Sequence, residues 1–149
     1  MLLILAFTML AGLAFAAVLY QIDVQQPAPP INIPTTTETI AAQGLAVTCP
    51  NPNGKAVIRA WVELSVGAGT TAITLTVYAG NAIGGRVVGT RQPEAGDFTP
   101  GSAATFDLEF IDPFNNVSGV QYCVSVQQTG ATGNGTVQNA LISTMVLSG

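Results

Sequence analysis

Apolar and polar positions alternate along most of this chain, and its first twenty residues are the exception. Ile58, Ala60, Val62, Leu64 and Val66 interleave with Arg59, Trp61, Glu63 and Ser65. Ile73, Leu75 and Val77 interleave with Thr74, Thr76 and Tyr78, and Phe106, Leu108 and Phe110 with Thr105, Asp107 and Glu109. A period of two sends one set of side chains into a core and the other outward, so each run predicts a strand of a half-buried sheet. Further strands are expected over residues 38–42, 45–49, 87–91, 120–127 and 137–147. The breaks carry turn chemistry: Pro50-Asn51-Pro52-Asn53-Gly54, Gly67-Ala68-Gly69, Gly80-Asn81, Gly84-Gly85, residues 93–101, Asp112-Pro113 with Asn115-Asn116, and residues 130–135. Seven or eight short antiparallel strands punctuated in this way predict an all-β sandwich or jelly roll over residues 38–149.

Residues 2–20 behave differently. Leu2, Leu3, Ile4, Leu5, Phe7, Leu10, Leu13, Phe15, Val18, Leu19 and Tyr20 supply an uncharged, almost wholly apolar run. At helical rise it would be about 28 Å long, close to the thickness of a bilayer's hydrocarbon core. It predicts one transmembrane helix over residues 1–22, anchoring the chain in a lipid membrane. A secretory signal is the competing reading, because Ala14-Phe15-Ala16 has the form of a cleavage site. Against it, no Lys or Arg lies near Met1, and the run outlasts the usual apolar stretch of about 7–15 residues. Tyr20 stands where an interfacial aromatic would hold the helix end. Orientation cannot be read, since neither flank carries a cation. Pro27, Pro29, Pro30 and Pro34 follow within eight residues. Proline fixes φ and lacks a backbone donor, so residues 23–37 read as an extended, semi-rigid linker.

Composition narrows the function. Only 8% of the 149 residues are charged while 48% are apolar. A free monomer normally carries more charge for solubility, so packing among protein neighbours is expected. Net charge is −4, and Lys55, Arg59, Arg86 and Arg91 are the four cations. Scattered this way they cannot neutralise a run of phosphates, which argues against nucleic-acid binding. The chain has no histidine, so the Ser-His and Cys-His nucleophile pairs are excluded. No enzyme activity, cofactor or metal is expected. Asp107 and Glu109 could in principle form a carboxylate pair on one strand face, and Asp112 with Glu109 calcium ligands near a turn, but a solvated strand face explains them more simply. Residues 80–89 are glycine-rich yet lack the Lys-Ser/Thr of a phosphate loop. Asn116-Val117-Ser118 and Asn134-Gly135-Thr136 match the N-glycosylation pattern, a short and weak signal.

Two positions leave alternatives open. Trp61 shares its parity with Arg59 and Glu63, so it either faces outward as a contact residue or returns to the core at a bulge. Cys49 and Cys123 allow one disulfide or two buried thiols. If Tyr122, Val124 and Val126 point inward, Cys123 points outward while Cys49 points in with Leu45 and Val47. A Cys49–Cys123 bond would then need adjacent strand ends or a bulge.

Two segments resemble a known group. Thr76-Val77-Tyr78-Ala79-Gly80 through Gly84-Gly85-Arg86-Val87-Val88-Gly89-Thr90 is one, and the run from Tyr122-Cys123-Val124-Ser125-Val126-Gln127-Gln128-Thr129-Gly130 to Val137 is the other. Together, over roughly residues 55–147, they resemble β-sandwich virion proteins of bacteriophages. With the apolar run added, the chain is similar to the membrane-anchored minor capsid proteins of icosahedral viruses with an internal membrane. That resemblance implies a structural virion protein whose helix holds the lipid and whose β domain meets other coat or capsid proteins in an oligomeric assembly. It implies no catalytic residue. Arg59, Trp61 and Tyr78 are the candidate contact residues. Two alternatives stand beside it: a pilin-like surface filament subunit, and a secreted or tethered carbohydrate-binding module stacking sugars on Trp61 and Tyr78.

Overall fold

The computed structural model describes residues 18–23, 30–48, 54–94, 96–113 and 119–147. Nine strands run through them: β1 (Val18–Asp23), β2 (Ile31–Ile33), β3 (Thr39–Gln43), β4 (Lys55–Ser65), β5 (Ala72–Ala79), β6 (Arg86–Arg91), β7 (Ala103–Pro113), β8 (Tyr122–Thr129) and β9 (Gly135–Leu147). They form two antiparallel sheets. Sheet A has the order β1-β9-β4-β7, with β2 also paired to β9, and sheet B has the order β3-β8-β5-β6. The chain crosses from one sheet to the other at most of its turns, and with β1 and β2 sharing one position this is the order of an eight-position jelly roll.

The alternation seen in the sequence builds the space between the sheets. Ile58, Val62 and Leu64 of β4, Phe106 and Leu108 of β7, and Val137, Ala140 and Ile142 of β9 face Ile73, Leu75 and Val77 of β5 and Tyr122, Val124 and Val126 of β8 in one buried cluster. Full burial of each large aliphatic or aromatic side chain contributes about 1.5–3 kcal/mol. β4 keeps its pairing with β7 from Lys55 to Ser65 without a shift. A bulge in β9 between the pairs made by Glu63 and Leu64 absorbs Gln138.

One side of the sandwich is closed by β6 and β7, the edge strands of the two sheets. A Cβ on Gly89 would sit 2.2 Å from the Phe110 ring, so only glycine lets that ring lie across β6. Arg91 stands over the Phe106 ring and donates to the Asp107 carbonyl. Arg86 Nη2 donates to Asp112 Oδ2 at 2.6 Å. Asp112 is only 2% exposed, and the same oxygen accepts from the Tyr122 hydroxyl at 2.9 Å. The hydrogen bond to Asp112 raises the Arg86 guanidinium pKa further, against the effect of burial.

A buried amide ties one end together. Gln128 is 1% exposed. Its Nε2 lies 3.0 Å from the Ile33 carbonyl, 3.1 Å from Gly133 and 3.2 Å from Pro34, and its Oε1 accepts from Gly67 N–H at 3.0 Å. Two amide hydrogens serve three carbonyls, so at least one is shared. The turn before β5 and the turn before β9 approach so closely here that a Cβ on Gly67 would sit 1.8 Å from the Gly133 oxygen.

Several expectations change. The helix expected over residues 1–22 does not reach its end, because Val18–Asp23 is strand β1, paired from Val18↔Leu147 to Asp23↔Ile142. The sequence there is rich in strand-favouring residues, and the free edge of β9 satisfies its backbone groups. Residues 1–17 lie outside the described residues. Among those described, no helix is long and apolar enough to cross a membrane. The linker expected over 23–37 is interrupted by β2, which pairs with β9 at Gly135–Val137 and buries Ile33 completely. Residues 45–48 of the strand expected over 45–49 make only a single bridge, from Val47 to Val120, and Cys49 is outside the described residues. Cys123 is a free, buried thiol, so the structure shows no disulfide to it.

Candidate functional site: the outer face of sheet A

β4 lies between β7 and β9, and its outward residues form the middle row of an open sheet face. Trp61 is flanked by Asp107 on β7 and Leu141 on β9, Arg59 by Glu109 and Ser143, and Glu63 by Thr105 and Asn139. Because the β4–β7 register never slips, Trp61 keeps the outward parity read from the sequence and does not return to the core. Arg59 Nε contacts Glu109 Oε2 at 2.5 Å with both side chains more than half exposed. An ion pair so open to water contributes about 0–1 kcal/mol. It orders the rim and adds little to stability. Asn139 Nδ2 donates to Glu63 Oε2 at 2.8 Å.

A shallow depression of about 430 Å³ lies on this face, lined by Arg59, Ala60, Trp61, Asp107, Leu108, Glu109, Leu141 and Ser143. Towards the Lys55 end of β4 the surface becomes apolar. Val57 lies between Ile111 and Met145, and Ile111 is 61% exposed. Asp107 and Glu109 are neighbours on this face of β7, with Glu109 paired to Arg59. Among the described residues no group of three acidic or sulfur ligands could hold a metal.

Tyr78 does not share this face. It lies on the outer side of sheet B, mostly buried, with its hydroxyl 2.9 Å and 3.1 Å from the two Glu38 carboxylate oxygens. Burial, then the hydrogen bond to Glu38, raises its pKa. Ser125 also donates to Glu38. The same cluster explains Cys123, which has the outward parity expected of it, opposite Tyr78 and Gln43, yet no exposed surface.

Burial, with the Glu38 charge adding to it, pushes the Cys123 thiol up from 9.0 to about 11. In a Cys49→Ser background, the folded protein should resist alkylation at pH 8 and react only after urea unfolding. The stability consequence has a definite sign. The unfolded thiol ionises first, so the unfolded state binds fewer protons between about pH 9 and 11, and stability falls across that window. Prompt alkylation of the folded chain at pH 8 would contradict the burial.

Neither Gln128 nor the Arg86–Asp112–Tyr122 group was expected as a structural centre. A signal for Gln128 existed: it continues the inward parity of Tyr122, Val124 and Val126 with a polar side chain beside a glycine-rich turn.

With the fold and this face described, comparison with known proteins places the architecture. No protein-family model matches the chain, and no curated protein matches it. Solved structures do match in fold. The VP2 subviral particle of infectious bursal disease virus aligns with a TM-score of 0.52 and 12% identity, over 91% of this chain and 33% of that one. The Gt strain of the same virus gives 0.53 and 10%, over 91% and 34%. An arabinose-bound α-L-arabinofuranosidase aligns at 0.50 and 14%, over 90% of this chain and 24% of that one. The chain is thus a β-sandwich of the kind found in viral capsid proteins, and it spans about a third of the length of those it matches.

Proposed function

We propose that this chain is a structural subunit of a viral coat. In this reading its apolar N-terminal segment enters a lipid membrane, and the outer face of sheet A meets neighbouring coat proteins. The carrying observation is that face: Trp61, Leu141, Met145 and the exposed Ile111 bring apolar side chains to an open sheet surface, set among Lys55, Arg59, Glu63, Asp107 and Glu109. Apolar surface with a central aromatic and a nearby arginine suits a protein contact. Likeness in fold to capsid domains agrees with this reading, as does the low overall charge. The coat would be that of a bacteriophage-like icosahedral virus with an internal membrane.

The anchor must be shorter than first expected. β1 takes Val18 onward, leaving residues 2–17 for the membrane. A helix of that length would be about 24 Å, some 6 Å short of a typical hydrocarbon core. A thinned bilayer accommodates such a mismatch at modest energetic cost. The full chain should float with phospholipid vesicles in a density gradient, and a chain lacking residues 1–17 should stay at the bottom while keeping its β-sheet circular dichroism. Flotation of the truncated chain would remove the anchor.

One observation favours a second reading. The Trp61 depression combines a half-buried indole with Arg59, Asp107, Glu109 and Ser143, a set able to stack on a sugar ring and bond its hydroxyls. On a glycan array, binding that disappears in Trp61→Ala would support this reading, and no binding by the intact chain would end it.

A further inference from the structure

We infer that the outer face of sheet A is closed by the same face of a second copy of this chain, with Lys55 of each copy lying over Trp61 of the other and beside its Asp107. This rests on the contact role given to that face above and names its occupant.

Charge is unevenly settled among the described residues. Arg59 pairs with Glu109, Arg86 pairs with Asp112, and Arg91 stands over Phe106 and donates to the Asp107 backbone carbonyl. Lys55, the fourth cation, is exposed and has no side-chain partner among the described residues. The Asp107 carboxylate is likewise exposed and unpaired among them. Both groups stand on one face. Lys55 and Trp61 share their parity on β4, Asp107 is paired directly with Trp61, and the register does not slip between Lys55 and Ser65.

A surface that carries both halves of a contact is complementary to itself under a two-fold rotation. Lys55 and Trp61 are six residues apart, about 20 Å along the strand. A two-fold axis lying between two stacked faces and crossing β4 at Ile58 runs the two β4 strands antiparallel. It sets position 55 of one copy over position 61 of the other. Each ammonium then meets an indole and the carboxylate next to it, a cation–π contact and an ion pair in one place. An axis running along β4 would instead set Lys55 against Lys55.

The crossing axis also sorts the rest of the face. Leu141, Met145 and Ile111 lie level with residues 57–61 of β4 and fall inside the overlap, whereas Glu63, Thr105 and Asn139 lie beyond it in water. Arg59 and Glu109 enter it as a pair whose charge is already cancelled. From Lys55 to Trp61 and across the four strands of the path β1-β9-β4-β7, the overlap measures about 24 Å by 19 Å, or about 900 Å² over both copies. That is just under the size of lasting interfaces. The dimer is therefore weak in dilute solution and strengthened where copies are held close together.

Trp61 is the only tryptophan of the chain, so its fluorescence reports on this face. The full chain in mild detergent is followed over a concentration series by sedimentation and by acrylamide quenching. The mass should rise from one chain to two, and quenching should fall over the same range. Lys55→Glu and Asp107→Lys each put like charges at both contacts, and each should weaken association about tenfold or more. The Lys55→Glu/Asp107→Lys chain reverses both partners and should regain the dimer and the protected indole. Both positions are exposed, so all three variants should keep their β-sheet circular dichroism. A chain that stays monomeric with Trp61 open to acrylamide overturns the inference and leaves the face free for a different coat protein. A monomer with Trp61 protected throughout overturns the inference and the contact role together, because the chain then covers its own face. A dimer whose Trp61 is as open as the monomer's overturns the inference by placing association elsewhere. So does a double variant that stays apart when the single ones dissociate.

Discussion

Replacing Gln128 by leucine should remove about 3 kcal/mol of unfolding free energy, read from urea titration. The side chain is buried and its amide serves both directions, taking the Gly67 N–H and giving to the carbonyls of Ile33, Pro34 and Gly133. Leucine keeps the volume and none of the bonds. Each buried polar group left without a partner costs about 1–3 kcal/mol, partly offset by the more apolar side chain. The loss should also be local before it is global, with amide exchange in β2 accelerating first, because Gln128 is what holds Ile33 and Pro34 down. Gln128→Glu separates shape from chemistry. It can still accept from Gly67, but an ionised carboxylate would face three carbonyl oxygens. That variant should be worse than leucine at pH 7. Its carboxyl is favoured protonated in the fold, so the lost stability returns as pH falls towards the unfolded value of about 4.3 and is fully back below it, relative to the parent chain. A Gln128→Leu chain within 0.5 kcal/mol of the parent would refute the role given to this amide.

Arg86→Ala should be the second severe change, costing about 2–3 kcal/mol. Asp112 is buried while the Arg86 side chain is 60% exposed, so the substitution strips the counter-charge from a carboxylate that water reaches poorly. Its Oδ1 has no hydrogen-bond partner among the described residues, which leaves the Tyr122 hydroxyl on Oδ2 as the contact that survives. Removing one partner of a buried pair typically costs about 3–5 kcal/mol, and the exposure of Arg86 lowers that figure here. Adding Asp112→Asn should recover most of the loss, because a neutral amide still accepts from Tyr122 and no longer buries a charge. If the double variant is as unstable as Arg86→Ala alone, the cost comes from the packing of the arginine stem and the electrostatic account fails.

Much of the sandwich was legible because strand parity is a local property. Alternation from Ile58 to Val66, from Ile73 to Tyr78 and from Thr105 to Phe110 named the inward residues of β4, β5 and β7, and the outward direction of Trp61 followed from the same count. Parity could not say what covers an outward residue. Cys123 and Tyr78 point away from the core and are still buried, because Glu38, some forty residues earlier than Tyr78, lies over that part of sheet B. β1 and β2 escaped for a different reason. An unbroken apolar run has no period by which to tell strand from helix, and the prolines around β2 argue for a linker until an edge is found for Ile31–Ile33. The Arg86–Asp112 pair joins two strand ends 26 residues apart, a proximity set by the sandwich and absent from any local pattern.

β9 pairs with β1, β2 and β4, so β1, β2 and one edge of β4 wait on the last strand described. A chain emerging from the ribosome can therefore form the β5–β6 hairpin early, but its first two strands have no partner until residues 135–147 are made. Closure is then a single late event across more than a hundred residues, the kind of long-range pairing that folds slowly. During that interval the side of β4 that β9 will cover stays bare, and a chain halted before residue 135 exposes it.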